Sequence, residues 1–178
     1  RRVLFRSWAE VILPLALPKL YTYAIPEHLA AIARPGCRAE VVFGKNKKYA
    51  AIINAIVREE PPYITKPLLS ILDETPLLYD GQLALWKWIS DYYMCSEGEV
   101  MAAALPANFK LSSETILLFN EEHGDDFSNL SHDEYLVAEA LLLKKELRLP
   151  EVQQILDASH VYPVIKKLLD KQVCLAWE

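Results

Sequence analysis

The sequence predicts an α+β chain in two parts, and three observations carry that prediction. Four short β-prone runs crowd into residues 8–57, separated by Pro and Gly turn signals. An aromatic-rich helical stretch follows. Beyond Phe109 the chain turns acidic and carries helix-start signals. At 178 residues there is room for one ordinary domain or two small ones.

The elements follow in order. Trp8 to Leu15 reads as a strand that Pro14 terminates, because Trp8, Val11, Ile12 and Leu13 are apolar and β-prone. Tyr21 to Ile25 is a second strand, fixed between Pro18 and Pro26. Glu27 to Ala33 suits one helical turn, and Pro35-Gly36 a tight turn. Arg38 to Phe43 and Tyr49 to Val57 read as paired strands about a turn at Gly44-Lys45-Asn46-Lys47. Together they predict a small antiparallel sheet or partly closed, barrel-like domain. Pro61-Pro62 opens a linker-like stretch ending at Ile71-Leu72-Asp73. Leu83 to Met94 reads as a helix with Leu83, Trp86, Ile89 and Tyr93 on one face, widened by Leu85, Trp88 and Tyr92. That much apolar area predicts the helix that covers the sheet. Glu97 to Ala104 is a second short helix, stopped by Pro106.

We place a domain boundary at 109/110, giving domains 8–109 and 110–178. In the second, Thr115 to Phe119 is a candidate strand. Ser131-His132-Asp133-Glu134 has the form of a capping box, predicting a helix to about Lys145. A second helix starts near Pro150, a third covers Tyr162 to Lys171, and Val173 to Trp177 closes as a strand. Three short helices followed by a strand is the winged-helix pattern. Its third helix offers Lys166, Lys167 and Lys171, but the acidic surroundings favour a spacer or protein-contact role over groove binding. Residues 1–7 lack an initiator Met and stand outside the strand pattern. We read them as a non-native scar and do not count their three Arg as a basic arm.

Composition narrows the function classes. The net charge of −5 argues against a broad basic face for nucleic acid. It is uneven: residues 110–178 hold seven Lys or Arg against thirteen Asp or Glu, and residues 8–109 hold nine against eleven, with Lys45, Lys47 and Lys48 clustered. Any phosphate contact is therefore expected in the first domain. No run of eighteen apolar residues and no signal peptide are expected, which predicts a cytoplasmic protein. Cys37, Cys95 and Cys174, and His28, His123, His132 and His160, are scattered, which predicts no disulfide framework and no zinc site. The only Gly-Lys pair, Gly44-Lys45, is followed by Asn46, and Gly36 lies eight positions before Gly44, so no phosphate-binding loop for ATP is present. No nucleophile elbow or zinc-protease motif occurs either, and the chain is expected to be no enzyme by itself.

Four collinear strings narrow the reading further: AEVILPLALPKLYTYAIPE (9–27), RPGCRAEVVFGK (34–45), LLSILDETPLL (68–78) and WISDYYMCSEGEVMAAALP (88–106). Together they resemble the N-terminal region of the primosomal N′ family of bacterial replication-restart helicases. The resemblance implies a first domain that recognises the 3′ end of the nascent leading strand at a stalled fork, on forked or single-stranded DNA, followed by a winged-helix domain. It implies that an ATP-dependent 3′→5′ helicase, with its ATP, magnesium and zinc sites, lies in parts of the parent that this chain lacks. Primosome proteins and single-stranded-DNA-binding protein are the implied partners. By position it assigns strand-end binding to Tyr21, Thr22, Gly44 and Lys66. Thr22 departs from the Asp of some members and offers a neutral hydroxyl that both donates and accepts. On the residues alone, Tyr21 or Tyr23 could be core, Gly44 a hairpin glycine and Lys66 a solvated linker lysine. The competing reading is a protein-interaction scaffold that positions replication proteins.

Overall fold

The computed structural model describes residues 7–124, 126–158 and 161–177. The chain forms two compact units, Arg1–Pro106 and Ala107–Glu178. The division falls three residues before the predicted boundary, because the single 3-10 turn Ala107–Phe109 packs on the last strand of the second unit. Of the segment read as a scar, residues 1–6 lie outside the described residues. Ser7 is described, and its carbonyl accepts the Ile25 N–H at 3.0 Å, so it extends the strand ladder instead of standing apart from it.

Among the described residues, the first unit contains β1 (Trp8–Ile12), β2 (Tyr21–Ala24), β3 (Arg38–Phe43), β4 (Lys47–Val57), β5 (Ser70–Ile71), α1 (Asp80–Tyr93) and α2 (Glu97–Ala104). The strands form one antiparallel sheet in the order β2-β1-β4-β3-β5. It does not close into a barrel, since β2 and β5 are edges that do not pair with each other. Instead, residues 66–71 touch both edges. The Ala24 N–H donates to Lys66 O and the Leu68 N–H to Ala24 O, each at 2.9 Å, on the β2 side. The Leu69 N–H donates to Glu40 O at 2.9 Å on the β3 side, where β5 begins. The stretch read as a linker is thus a strap across the open side.

Apolar side chains pack on both faces of this sheet. One face buries Ala9, Val11, Tyr23, Val41 and Ile53 with Leu29 and Leu68. The other places Ile12 and Ile52 against Leu78, Leu83, Trp86, Val100 and Met101 of the helical layer. At the start of β3 the buried Arg38 holds Asp73 in a two-pronged pair, Nη2 to Oδ1 at 2.7 Å and Nε to Oδ2 at 3.0 Å. This ties the far end of the strap to the sheet.

α1 covers the sheet with only part of the face predicted for it. Leu83, Trp86 and Ser90 are buried and Ile89 is half-buried, while Trp88, Tyr92 and Tyr93 are 56%, 65% and 66% exposed. A helix lying on a sheet buries one stripe. The second aromatic stripe of α1 is left to solvent, where Trp88 stacks on Tyr92. α2 is capped by Ser96, whose hydroxyl accepts the Glu99 N–H while Glu99 accepts from the Ser96 N–H. Gly98 in its first turn lies so close to the chain before β2 that a Cβ would stand 1.9 Å from Leu15 O. No other residue fits there.

The described residues of the second unit form β6 (Ile116–Phe119), α3 (His132–Lys144), β7 (Glu146–Arg148), α4 (Leu149–Leu156), α5 (Tyr162–Asp170) and β8 (Cys174–Trp177). The strands make an antiparallel sheet in the order β7-β6-β8. Leu117, Val137, Leu141, Leu147, Val152, Tyr162, Ile165 and Leu168 are buried. The predicted capping box is present: the Ser131 N–H donates to Glu134 Oε2 at 3.1 Å and Ser131 Oγ accepts the Glu134 N–H. Pro150 sits in the first turn of α4, where its missing N–H is not needed. β7 is an addition to the predicted elements. Among the described residues no helix is long and apolar enough to cross a membrane.

Candidate nucleic-acid interface

Tyr21 and Tyr23, two residues apart on β2, share one face of the sheet, and their depth distinguishes them. Tyr23 points into the sheet core, 4% exposed, and its hydroxyl donates to Val42 O at 3.1 Å. Burial, then the neighbouring Tyr21, pushes its hydroxyl up to about 12. Tyr21 is half-buried and lines a cavity of about 410 Å3 at the edge of the sheet.

All four residues assigned through the resemblance line this cavity: Tyr21 and Thr22 from β2, Gly44 from the β3–β4 turn, and Lys66 from the strap. The Tyr21 ring stands edge-on to Phe43, centroids 5.0 Å apart at 78°, and Phe43 meets Tyr49 in the same manner at 6.5 Å. These edge contacts hold the ring in place. Lys19 Nζ lies 5.9 Å from the Tyr21 ring centroid. Gly44 has φ +65°, the left-handed region that glycine occupies without strain, and a Cβ there would meet nothing within 4 Å. Its role is thus set by the turn and the open space beside it, not by crowding. The Lys66 ammonium donates to the Gly44 carbonyl, so strap and turn meet across the cavity mouth.

Among the lining residues that the sequence did not assign, Tyr63 and Lys19 bring new chemistry. Tyr63, in the proline-rich stretch, is exposed, and its hydroxyl donates to Thr22 Oγ1 at 3.2 Å. Lys19 is the other. An aromatic beside Pro61-Pro62 is the only signal that could have pointed to Tyr63. No Asp or Glu is among the described residues lining the cavity, whereas Lys19 and Lys66 are.

Other candidate contacts are engaged elsewhere. Lys48 of the 45–48 cluster pairs with buried Glu40 at 3.0 Å. A larger cavity, about 590 Å3, lies between the β1–β2 connection and the α1–α2 turn, but Asp91, Glu97 and Glu99 line it, a poor match for phosphate. In the second unit Lys171 Nζ donates to Glu134 Oε2 at 2.6 Å and Lys167 Nζ lies 3.9 Å from Glu134 Oε1. Lys166 lies 3.9 Å from Asp170. Burial works to raise the Glu134 carboxyl, but the hydrogen bonds from Lys171 and Ser131 outweigh it and hold the group below the usual range. Among the described residues no group of three or more His, Cys, Asp or Glu is placed to hold a metal ion.

Residues 10–106 match the 3′DNA-binding domain (3′BD) of PriA, more than half of the chain. The chain belongs to the PriA family. Its 3′BD spans the five-stranded sheet apart from the first two residues of β1, both covering helices and every residue of the cavity. Replication restart protein PriA of Chlamydia trachomatis is 28% identical over 116 residues, 62% of this chain and 15% of that protein. Replication restart protein PriA of Bacillus subtilis is 29% identical over 125 residues, 67% of this chain and 15% of its own length. The PriA of Chlamydia muridarum is 24% identical over 170 residues, 93% of this chain and 20% of that protein, so this likeness runs on through the second unit. The chain thus spans about a sixth of the length of the PriA proteins it matches.

Proposed function

We propose that the first unit holds the 3′-terminal nucleotide of a DNA strand in the cavity formed by Tyr21, Thr22, Gly44 and Lys66, as the strand-end reader of a replication-restart helicase. The observation that carries this is convergence: four residues spread from position 21 to position 66 come from a strand, a turn and a strap to line one hollow. Each has chemistry that suits a strand end. The fixed Tyr21 ring stacks on a terminal base that has no outer neighbour, a contribution of about 1–3 kcal/mol. Thr22 offers a hydroxyl to the base edge or the terminal hydroxyl. Gly44 keeps the approach open, and Lys66 supplies a cation for the phosphate before the last nucleotide. A small site of this kind needs no broad basic face, so the net charge of −5 is no obstacle.

In the second unit, three helices and a three-stranded antiparallel sheet support the winged-helix reading, with α5 as the helix that would meet DNA. The pairing of Lys166, Lys167 and Lys171 with Asp170 and Glu134 favours a protein-contact role for this unit. In this reading the parent's 3′→5′ helicase, with ATP, magnesium and zinc, lies outside the chain, which works in the bacterial cytoplasm with primosome proteins and single-stranded-DNA-binding protein.

The test is fluorescence anisotropy with forked and single-stranded oligonucleotides ending in a 3′-hydroxyl or a 3′-phosphate. We expect the hydroxyl end to bind more tightly, and Tyr21→Ala to weaken it by about 1–3 kcal/mol. Equal affinity for the two ends would remove end recognition from the proposal.

A further inference from the structure

Ile64 lines the strand-end cavity and is fully exposed, so it stands at the rim with no packing role in the fold. The strap that carries it is tied down on both sides. Before it, the Tyr63 hydroxyl donates to Thr22 Oγ1 at 3.2 Å. After it, the Lys66 carbonyl accepts the Ala24 N–H at 2.9 Å, and the Lys66 ammonium donates to the Gly44 carbonyl. A single apolar side chain in solvent needs no explanation. This one shares a hollow with exposed Tyr63 and half-buried Tyr21, and its branched Cβ makes it stiff. It is a rigid apolar projection on an anchored segment, beside the place proposed for a terminal base.

Resting on the strand-end reading above, we propose that Ile64 is a wedge that parts the last base pair of a duplex end. The cavity is walled by β2, the β3–β4 turn and the strap, and strap and turn meet across its mouth. A terminal nucleotide that enters leaves its template partner outside. Taking a nucleotide out of a duplex costs its pairing and its stacking. Proteins that open base steps offset this cost with an inserted apolar side chain, isoleucine among them. Ile64 takes the space between the captured nucleotide and the template base it has left, and covers apolar base surface that would otherwise face water. A single strand has no template base, so Ile64 has nothing to part there. The wedge reads no base identity, because an aliphatic side chain meets the flat face of any base.

The experiment uses the whole chain with two substrates that end in a 3′-hydroxyl: a single strand, and a fork whose 3′-terminal thymidine is paired to the template. We expect Ile64→Ala to weaken binding to the paired end about tenfold, the order of burying one isoleucine side chain, and binding to the single strand by less than about twofold. Ile64→Leu, of the same size, keeps most of the paired-end affinity. An equal loss on both substrates, or no loss on the paired end, overturns the proposal. A second readout follows the pair itself. The fluorescent base 2-aminopurine, set in the template opposite the terminal thymidine, should brighten when the unmodified chain binds, because it loses its partner. Unchanged fluorescence at saturation means that the pair stays closed, and also overturns the proposal. Equal binding of single strands ending in a 3′-hydroxyl and a 3′-phosphate is a separate result and overturns the strand-end reading instead.

Discussion

In the first unit Lys66 reaches a backbone carbonyl across a cavity with no carboxylate in its described lining, whereas in the second Lys166, Lys167 and Lys171 lie against Asp170 and Glu134. The three lysines, two on α5 and one just past its end, look the better candidates for DNA by number and by their closeness. Their surroundings reverse that order. A phosphate that approaches Lys171 must displace a carboxylate at 2.6 Å, and the like charge of Glu134 opposes it. A phosphate that approaches Lys66 displaces a neutral carbonyl. Which lysine meets phosphate therefore depends on what each already holds, and neither the net charge nor a count of basic residues reports it.

The strongest way to break the comparison is to remove one lysine from each unit. Lys66→Ala should weaken binding of a 3′-hydroxyl oligonucleotide by about 1.5–3 kcal/mol, the range for a hydrogen bond to a charged group. Lys171→Ala should leave that affinity within the scatter of the titration. A larger loss from Lys171→Ala would reverse the assignment of the two units.

A smaller effect sharpens the second half of the comparison. Glu134 has its carboxyl held below the usual range, so its ionised form is favoured in the fold. Its contribution to stability is complete above the ordinary carboxylate pKa and disappears as the pH falls through the lowered folded value. Urea unfolding at neutral and acidic pH should show Glu134→Gln less stable than the unmodified chain by about 1 kcal/mol near pH 7. The two should converge under acid. A constant gap across the range would mean that the Glu134 charge contributes nothing.

The smallest effect is on salt dependence. Lys66→Ala should lower the slope of log affinity against log salt by about one, as expected for a single phosphate contact. The double variant Lys167→Ala/Lys171→Ala should leave the slope unchanged, and a fall with the double variant would place α5 on DNA.

Much of the fold was legible because local signals agreed. Arg38–Phe43 and the strand after it are bounded by Pro35-Gly36 and Gly44, and their apolar runs leave no competing helix. Ser131 and Glu134 announced α3 through their spacing. β7 was hidden because only Leu147 of its three residues is buried and charged residues flank it. The covering face of α1 was half right for a different reason. Periodicity finds apolar stripes, but Leu83 with Trp86 and Trp88 with Tyr92 form two of them, and only packing decides which meets the sheet. At the cavity, the period of β2 puts Tyr21 and Tyr23 on the same face and so could not separate them, and the Tyr23 bond to Val42 depends on a strand nineteen residues away. Lys66 and Tyr63 had no pattern of their own, since the strap that carries them is held by backbone bonds to Ala24 and Glu40.

That strap has a thermodynamic consequence. The same few hydrogen bonds, at Ala24, Leu68 and Leu69, fix the Lys66 end of the cavity wall and protect both sheet edges. That end of the wall does not swing as an independent lid, because moving it far would also unzip the backbone at two strands in one cooperative opening. In the proposed site an incoming nucleotide would meet a main chain that is already ordered at Lys66. The entropy lost in such binding would then fall at Lys66 on its side-chain rotamers and not on its backbone.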